Sequence, residues 1–97
     1  MIIYDKARWQ IEGGVSEKEV IAHFEFMFSW LKEYSLLNEY GKKFYSEGID
    51  EESILTDEMV NDSGRKFLDK HYDTYIASIE YGAREDADKL QELYFSL

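Results

Sequence analysis

One start signal and the stripe behind it constrain this chain more than anything else in it. Ser16 and Glu19 stand at the S-x-x-E spacing of a capping box, where each side chain satisfies a free backbone N–H of a helix's first turn. Val15 and Val20 sit at the two ends of a hydrophobic staple across the same start. Behind them Val20, Phe24, Met27, Phe28 and Leu31 recur at the i, i+3, i+4 spacing of a buried face. The spacing predicts a helix from about Glu17 to about Tyr34. His23, Phe26 and Trp30 lie on the adjoining flank, so the apolar face is wider than one partner helix needs. Most of the stretch HFEFMFSW is therefore core. The surplus around Phe26 and Trp30 is either covered by the N-terminal segment or open for docking.

The remaining elements are also helical. A shorter helix is expected over about Asn38 to Glu47, presenting Tyr40, Phe44 and Tyr45 and weakened by Gly41. Thr56 is the expected cap of a long helix reaching Gly82, with Asp57 and Glu58 in its first turn, where the helix dipole favours anions. Val60, Gly64, Phe67, Leu68, His71, Tyr72, Tyr75, Ile76 and Ile79 keep helical period along it. Gly64 would let another helix come close. A last helix, about Ala83 to Ser96, carries Ala87, Leu90, Tyr94 and Leu97. Ile2, Ile3, Tyr4, Trp9 and Ile11 have no convincing strand to pair with, so they read as an extended strap. The expected fold is all-α: a single domain over residues 1–97, a small bundle of about four main helices with that strap. Proline is absent, and the chain reads as free of repeats and linkers.

Composition sets the outer bounds. The chain has 97 residues, of which 44% are hydrophobic and 16% aromatic, enough for one core and unlike a disordered segment. It has no cysteine, hence no disulfide, thiolate nucleophile or cysteine zinc site, which fits a reducing cytoplasm. The start lacks the basic and apolar runs of a signal peptide. Twenty-one acids against eleven bases give a net charge of −10. Such a chain repels nucleic acid and anionic membrane and favours basic surfaces.

Candidates for chemistry are few. No G-x-S-x-G, phosphate-cradling loop or H-E-x-x-H is present. From Asp50 the sixth residue is Leu55, where a calcium loop needs glycine. His23 and His71 fall on different long helices and could meet with a carboxylate around a metal, and His23 or Met27 could face a cofactor. A hydrogen-bonded core histidine is the commoner outcome, so no cofactor, metal or catalytic residue is expected. The clearest anomaly is electrostatic. Between Lys43 and Arg65 there is no base, while Glu47, Asp50, Glu51, Glu52, Asp57, Glu58 and Asp62 all fall there. They read either as a solvated loop or as a face that meets a basic partner, with Tyr45, Tyr40 or Tyr72 as aromatic anchors.

Three stretches also carry a resemblance: the opening YDKARW (Tyr4 to Trp9), the helix with His23, Met27, Phe28 and Trp30, and GRKFLDKHYDTY (Gly64 to Tyr75). In this order they resemble a family of small, acidic, uncharacterised bacterial proteins. Its members open with Tyr-Asp-x-Ala-x-Trp, continue with a His…Met-Phe…Trp helix and end with Gly-x-x-Phe and Tyr-x-x-Tyr. The resemblance covers roughly residues 3–81. Gln10 departs from it, standing where the family has histidine, and so does the missing proline of the following loop. Similar proteins lie beside polymorphic toxin genes. The resemblance thus implies a non-enzymatic immunity protein, or antitoxin, that binds a basic toxin domain through the acidic residues. The alternative is a structural or regulatory interaction module, a homodimer through the aromatic face of the first long helix.

Overall fold

The computed structural model describes residues 1–96, so Leu97, placed by its spacing on the last helix, lies outside the described residues. Helix dominates, but the chain is not purely α. The N-terminal segment is a strand, β1 (Ile3–Lys6), paired antiparallel with β2 (Ile54–Thr56). Ile3 faces Thr56, Asp5 faces Leu55 and Lys6 faces Ile54, with an irregularity between Ile3 and Asp5. The expected strap is thus a strand whose partner is only three residues long, too short to announce itself by alternation.

A short helix α1 (Ala7–Glu12) follows β1 directly and packs on α2 (Glu17–Glu33). The start of α2 is as the capping signal requires. The Ser16 hydroxyl accepts from the Glu19 N–H at 3.2 Å. The second half differs, because that hydroxyl donates in turn to the Glu19 carboxylate at 3.1 Å. Val20, His23, Phe24, Met27, Phe28, Trp30 and Leu31 are all buried, so HFEFMFSW is mostly core. Trp30 is covered by Phe67 and Tyr94 at ring-centroid distances of 5.1 and 5.9 Å, not by the N-terminal segment. That flank is therefore closed within the molecule and offers no face to a second copy at Trp30.

The middle of the chain holds a repeat that the sequence reading overlooks. Leu37-Asn-Glu-Tyr-Gly-Lys-Lys-Phe44 and Val60-Asn-Asp-Ser-Gly-Arg-Lys-Phe67 correspond position by position. Each opens a helix, α3 (Glu39–Ser46) and α4 (Asp62–Ser78). Leu37 and Val60 form an antiparallel bridge. Asn38 and Asn61 each accept from the N–H of the glycine three residues on, both at 2.9 Å. Each asparagine also reaches across: Asn38 Nδ2 donates to the Glu58 carbonyl at 2.8 Å and Asn61 Nδ2 to the Ser35 carbonyl at 2.6 Å. Their backbone N–H groups bond to the Met59 and Leu36 carbonyls at 3.1 and 3.0 Å. The two caps thus form a local two-fold clasp.

The glycines of this clasp are required by contact. A Cβ on Gly41 would lie 2.0 Å from the Met59 carbonyl oxygen, and one on Gly64 2.7 Å from that of Leu36. What approaches Gly64 is a loop, not the helix expected there. Thr56 does not cap α4 either. It ends β2 and leads into a 3-10 turn (Asp57–Met59) without a side-chain capping bond, while Asn61 caps the helix. Helix α4 stops at Ser78, before Gly82, and α5 (Ala87–Phe95) begins later than Ala83, behind Asp86, whose side chain accepts from the Lys89 N–H. Residues 79–86 form the connection that the site below depends on. No described helix is long and apolar enough to cross a membrane.

Candidate functional site

The most heavily bonded polar cluster is internal, and it joins four parts of the fold. Asp5 comes from β1, beside the strand irregularity, and is 2% exposed. Such irregularities re-aim a side chain, and here a carboxylate points inward. Both its oxygens are filled. Oδ1 accepts from the Lys6 N–H at 2.8 Å and Gln10 Nε2 at 3.1 Å. Oδ2 accepts from the Tyr72 and Tyr81 hydroxyls at 2.5 and 3.0 Å. Four donors on four lone-pair positions leave no place for a proton, so Asp5 is a carboxylate.

His23 follows from that assignment. Its Nε2 lies 2.9 Å from the Tyr72 oxygen, whose only proton is given to Asp5. Nε2 must therefore donate. Nδ1 lies 2.8 Å from Glu85 Oε2, which also accepts from the Gly82 N–H at 3.0 Å. Glu85 Oε1 accepts from the Tyr75 hydroxyl at 3.0 Å, and that hydroxyl takes the Asp86 N–H at 2.9 Å. Glu85 thus ties Gly82, Tyr75 and the His23 ring to one side chain. The His23 ring is held between two carboxyl groups, with Glu85 Oε2 at 2.8 Å from Nδ1 and Asp5 Oδ2 at 3.7 Å from Nε2. The Tyr81 ring packs on the imidazole with centroids 4.1 Å apart and planes tilted by 37°.

The phenols complete the electrostatics. Burial first, then the nearby Asp5 charge, pushes the Tyr72 and Tyr81 hydroxyls well above the usual phenol range. Burial followed by Glu85 does the same to Tyr75, although its bond from the Asp86 backbone opposes the shift. All three stay neutral donors. The cluster holds β1, α2, α4 and the 79–86 connection together through charge-assisted bonds, which are the strong class of hydrogen bond. His23 is fully buried and every polar atom of its ring is engaged, so the arrangement positions segments rather than presenting a base to a substrate. His71 does not join it. Burial lowers its imidazole below the ordinary value, it packs on Phe67 at 5.5 Å, and its Nε2 is buried without a partner. No set of three histidine or acidic side chains among the described residues is arranged to hold a metal ion.

The acidic residues of 47–62 are exposed or half-buried, and they are not all unpaired as the sequence suggests. Glu52 pairs with Arg8 at 2.6 Å. Asp57 accepts from the Ile2 N–H at 3.0 Å and faces Arg65 at 3.5 Å, closing the end of the sheet. Asp50 accepts from the Glu52 N–H at 2.8 Å, shaping the turn before β2. Asp62 sits in the first turn of α4, where the helix dipole offsets its charge. Among the described residues, Glu47, Asp50, Glu51, Glu58 and Asp62 make no ion pair. Tyr45 is half-buried, stacked on Phe28 at 5.9 Å, so it packs inward. Tyr72 is buried in the histidine network and cannot anchor a partner. Tyr40 is 55% exposed and adjoins Gly41, against which the Met59 end of the acidic turn is pressed.

The inward network was not visible from residue spacing. Its one sequence signal is chemical: Tyr72 and Tyr75 stand on an apolar stripe, and buried phenols need acceptors. Nothing in the spacing says that those acceptors are Asp5 and Glu85, sixty-seven and ten residues away. Compared with known proteins, the chain matches no family model, no curated protein and no solved structure.

Proposed function

We propose that this chain is a binding protein of the immunity type, which neutralises a basic protein, a toxin domain, by docking an acidic face onto it. The observation that carries the reading is the run from Glu47 to Asp62, which contains seven acids and no base. Among the described residues only Glu52 and Asp57 find cations within the fold, leaving Glu47, Asp50, Glu51, Glu58 and Asp62 to a partner. Exposed Tyr40 beside that run supplies an aromatic anchor of the kind that dominates interface energetics. The resemblance to small acidic proteins found beside toxin genes supports the toxin assignment.

The test is growth rescue. A toxin domain encoded beside this gene is expressed with and without the protein, and the mixture is run on gel filtration. Specific rescue with a stable complex is expected. No rescue and no complex would overturn the reading.

A further inference from the structure

A second surface feature lies where α4 begins and α5 ends. Ser63, Lys66, Tyr94 and Phe95 line an open cleft of about 330 Å³. That is at the small end of the range in which proteins hold small molecules. Its apolar wall is aromatic. Phe95 is 74% exposed, unusual for a phenylalanine. Tyr94 is backed by Phe67, Trp30 and Tyr34 at 5.9, 5.9 and 5.6 Å.

The opposite wall reverses the charge of the molecule. Ser63 and Lys66 stand at i and i+3 on α4, and Lys70, outside the lining, continues the same face at i+7. Among the described residues neither lysine makes an ion pair, although the chain carries 21 acids. The acid between them is committed elsewhere, since Asp69 accepts the Tyr4 hydroxyl at 2.5 Å. Behind the aromatic wall, Trp30 Nε1 is a buried N–H donor without a partner, and so is His71 Nε2 a buried polar atom without one. An aromatic wall, an unpaired ammonium and a hydroxyl together select one ligand chemistry.

We propose that this cleft binds a small flat aromatic monoanion, an aryl carboxylate. Its ring lies against Tyr94 and Phe95, and its carboxylate meets the Lys66 ammonium and the Ser63 hydroxyl. A cation is disfavoured by Lys66, and a neutral ring leaves the ammonium unmatched. The site does not rest on the toxin-binding reading, and its test needs only the free protein.

The probe is 2-naphthoate, added to isotopically labelled protein and followed by backbone amide shifts. Saturable shifts confined to residues 63–67 and 94–96 are expected, with a dissociation constant in the millimolar range or tighter for a ligand of this size. The uncharged 2-naphthamide should bind about tenfold more weakly. Lys66→Glu should weaken naphthoate by at least about tenfold, and Phe95→Ser by a similar factor. Both side chains are exposed, so both variants should keep the wild-type spectrum away from the cleft. Absence of saturation, shifts centred elsewhere, or equal affinity for acid and amide would overturn the proposal. So would a Lys66→Glu variant that binds naphthoate unchanged.

Discussion

Asp5 and Glu85 are buried or nearly so, and what makes that tolerable is the set of hydrogen bonds they make around the His23 ring. Replacing one member of such a set leaves the others desolvated and unmatched. Asp5→Asn removes a charge and turns one acceptor into a donor facing donors, whichever way the amide is placed. A loss of about 3–5 kcal/mol in unfolding free energy is expected, measured by urea denaturation. A loss below about 1 kcal/mol would mean that Asp5 is not the acceptor its four partners imply. The three phenols give a pH dependence of definite sign. Their folded values are raised, so the folded state keeps protons that the unfolded chain releases. Stability is then complete below the unfolded phenol value of about 10 and falls as pH rises through and beyond it. Denaturation measured between neutral pH and strongly alkaline solution should show that fall, and it should be shallower in Tyr81→Phe. Of all this, only the need of buried tyrosines for acceptors was legible beforehand. The acceptors are long-range partners, and no local spacing encodes them.

At the scale of elements, legibility followed the strength of the local signal. Helix α2 begins at Glu17, as its capping box and staple require, and ends within a residue of its expected limit. Helix α4 was displaced because two segments carry cap chemistry, Thr56-Asp57-Glu58 and Asn61-Asp62. Only the second is followed by a glycine that the clasp needs, and that need comes from Leu36, in a loop twenty-eight residues away. The β1–β2 pairing was invisible for a related reason, since three residues make too short a strand to show alternation. The clasp itself makes a sharp prediction. On helix propensity alone, Gly41→Ala should stabilise by up to about 1 kcal/mol. The Met59 carbonyl stands where the new methyl would go, and it is backbone, so the turn must move. We expect a net loss of about 1–3 kcal/mol for Gly41→Ala and for Gly64→Ala alike. Thermal denaturation checks it, and a rise in the midpoint of either variant would show that the clasp yields without cost. Asn38→Ala and Asn61→Ala remove a cap and a cross-bond together, and each should cost about 1–2 kcal/mol.

For the whole molecule, the internal contacts decide which acids can steer a partner. Sequence alone nominates Glu51, Glu52 and Asp57 with equal weight. Glu52 and Asp57 are already tied to Arg8 and Arg65, so neutralising them disturbs the fold's own ion pairs as well as its outer field. Glu47, Glu51 and Glu58 have no such tie. The discriminating variant is therefore Glu47→Gln/Glu51→Gln/Glu58→Gln, compared with wild type against the toxin domain that the proposed function calls for, by stopped-flow mixing. Steered association depends on long-range potential, which salt screens over about 8–10 Å under ordinary conditions. The wild-type association rate should fall steeply as salt is raised, while the dissociation rate changes little. In the triple variant the rate at low salt should drop by about tenfold or more, and its salt dependence should flatten. Its thermal midpoint should stay close to wild type, because none of the three is used internally. A variant with unchanged association would remove the electrostatic part of the mechanism. Binding would then rest on Tyr40 and its apolar surroundings, which Tyr40→Ala would test by its effect on dissociation.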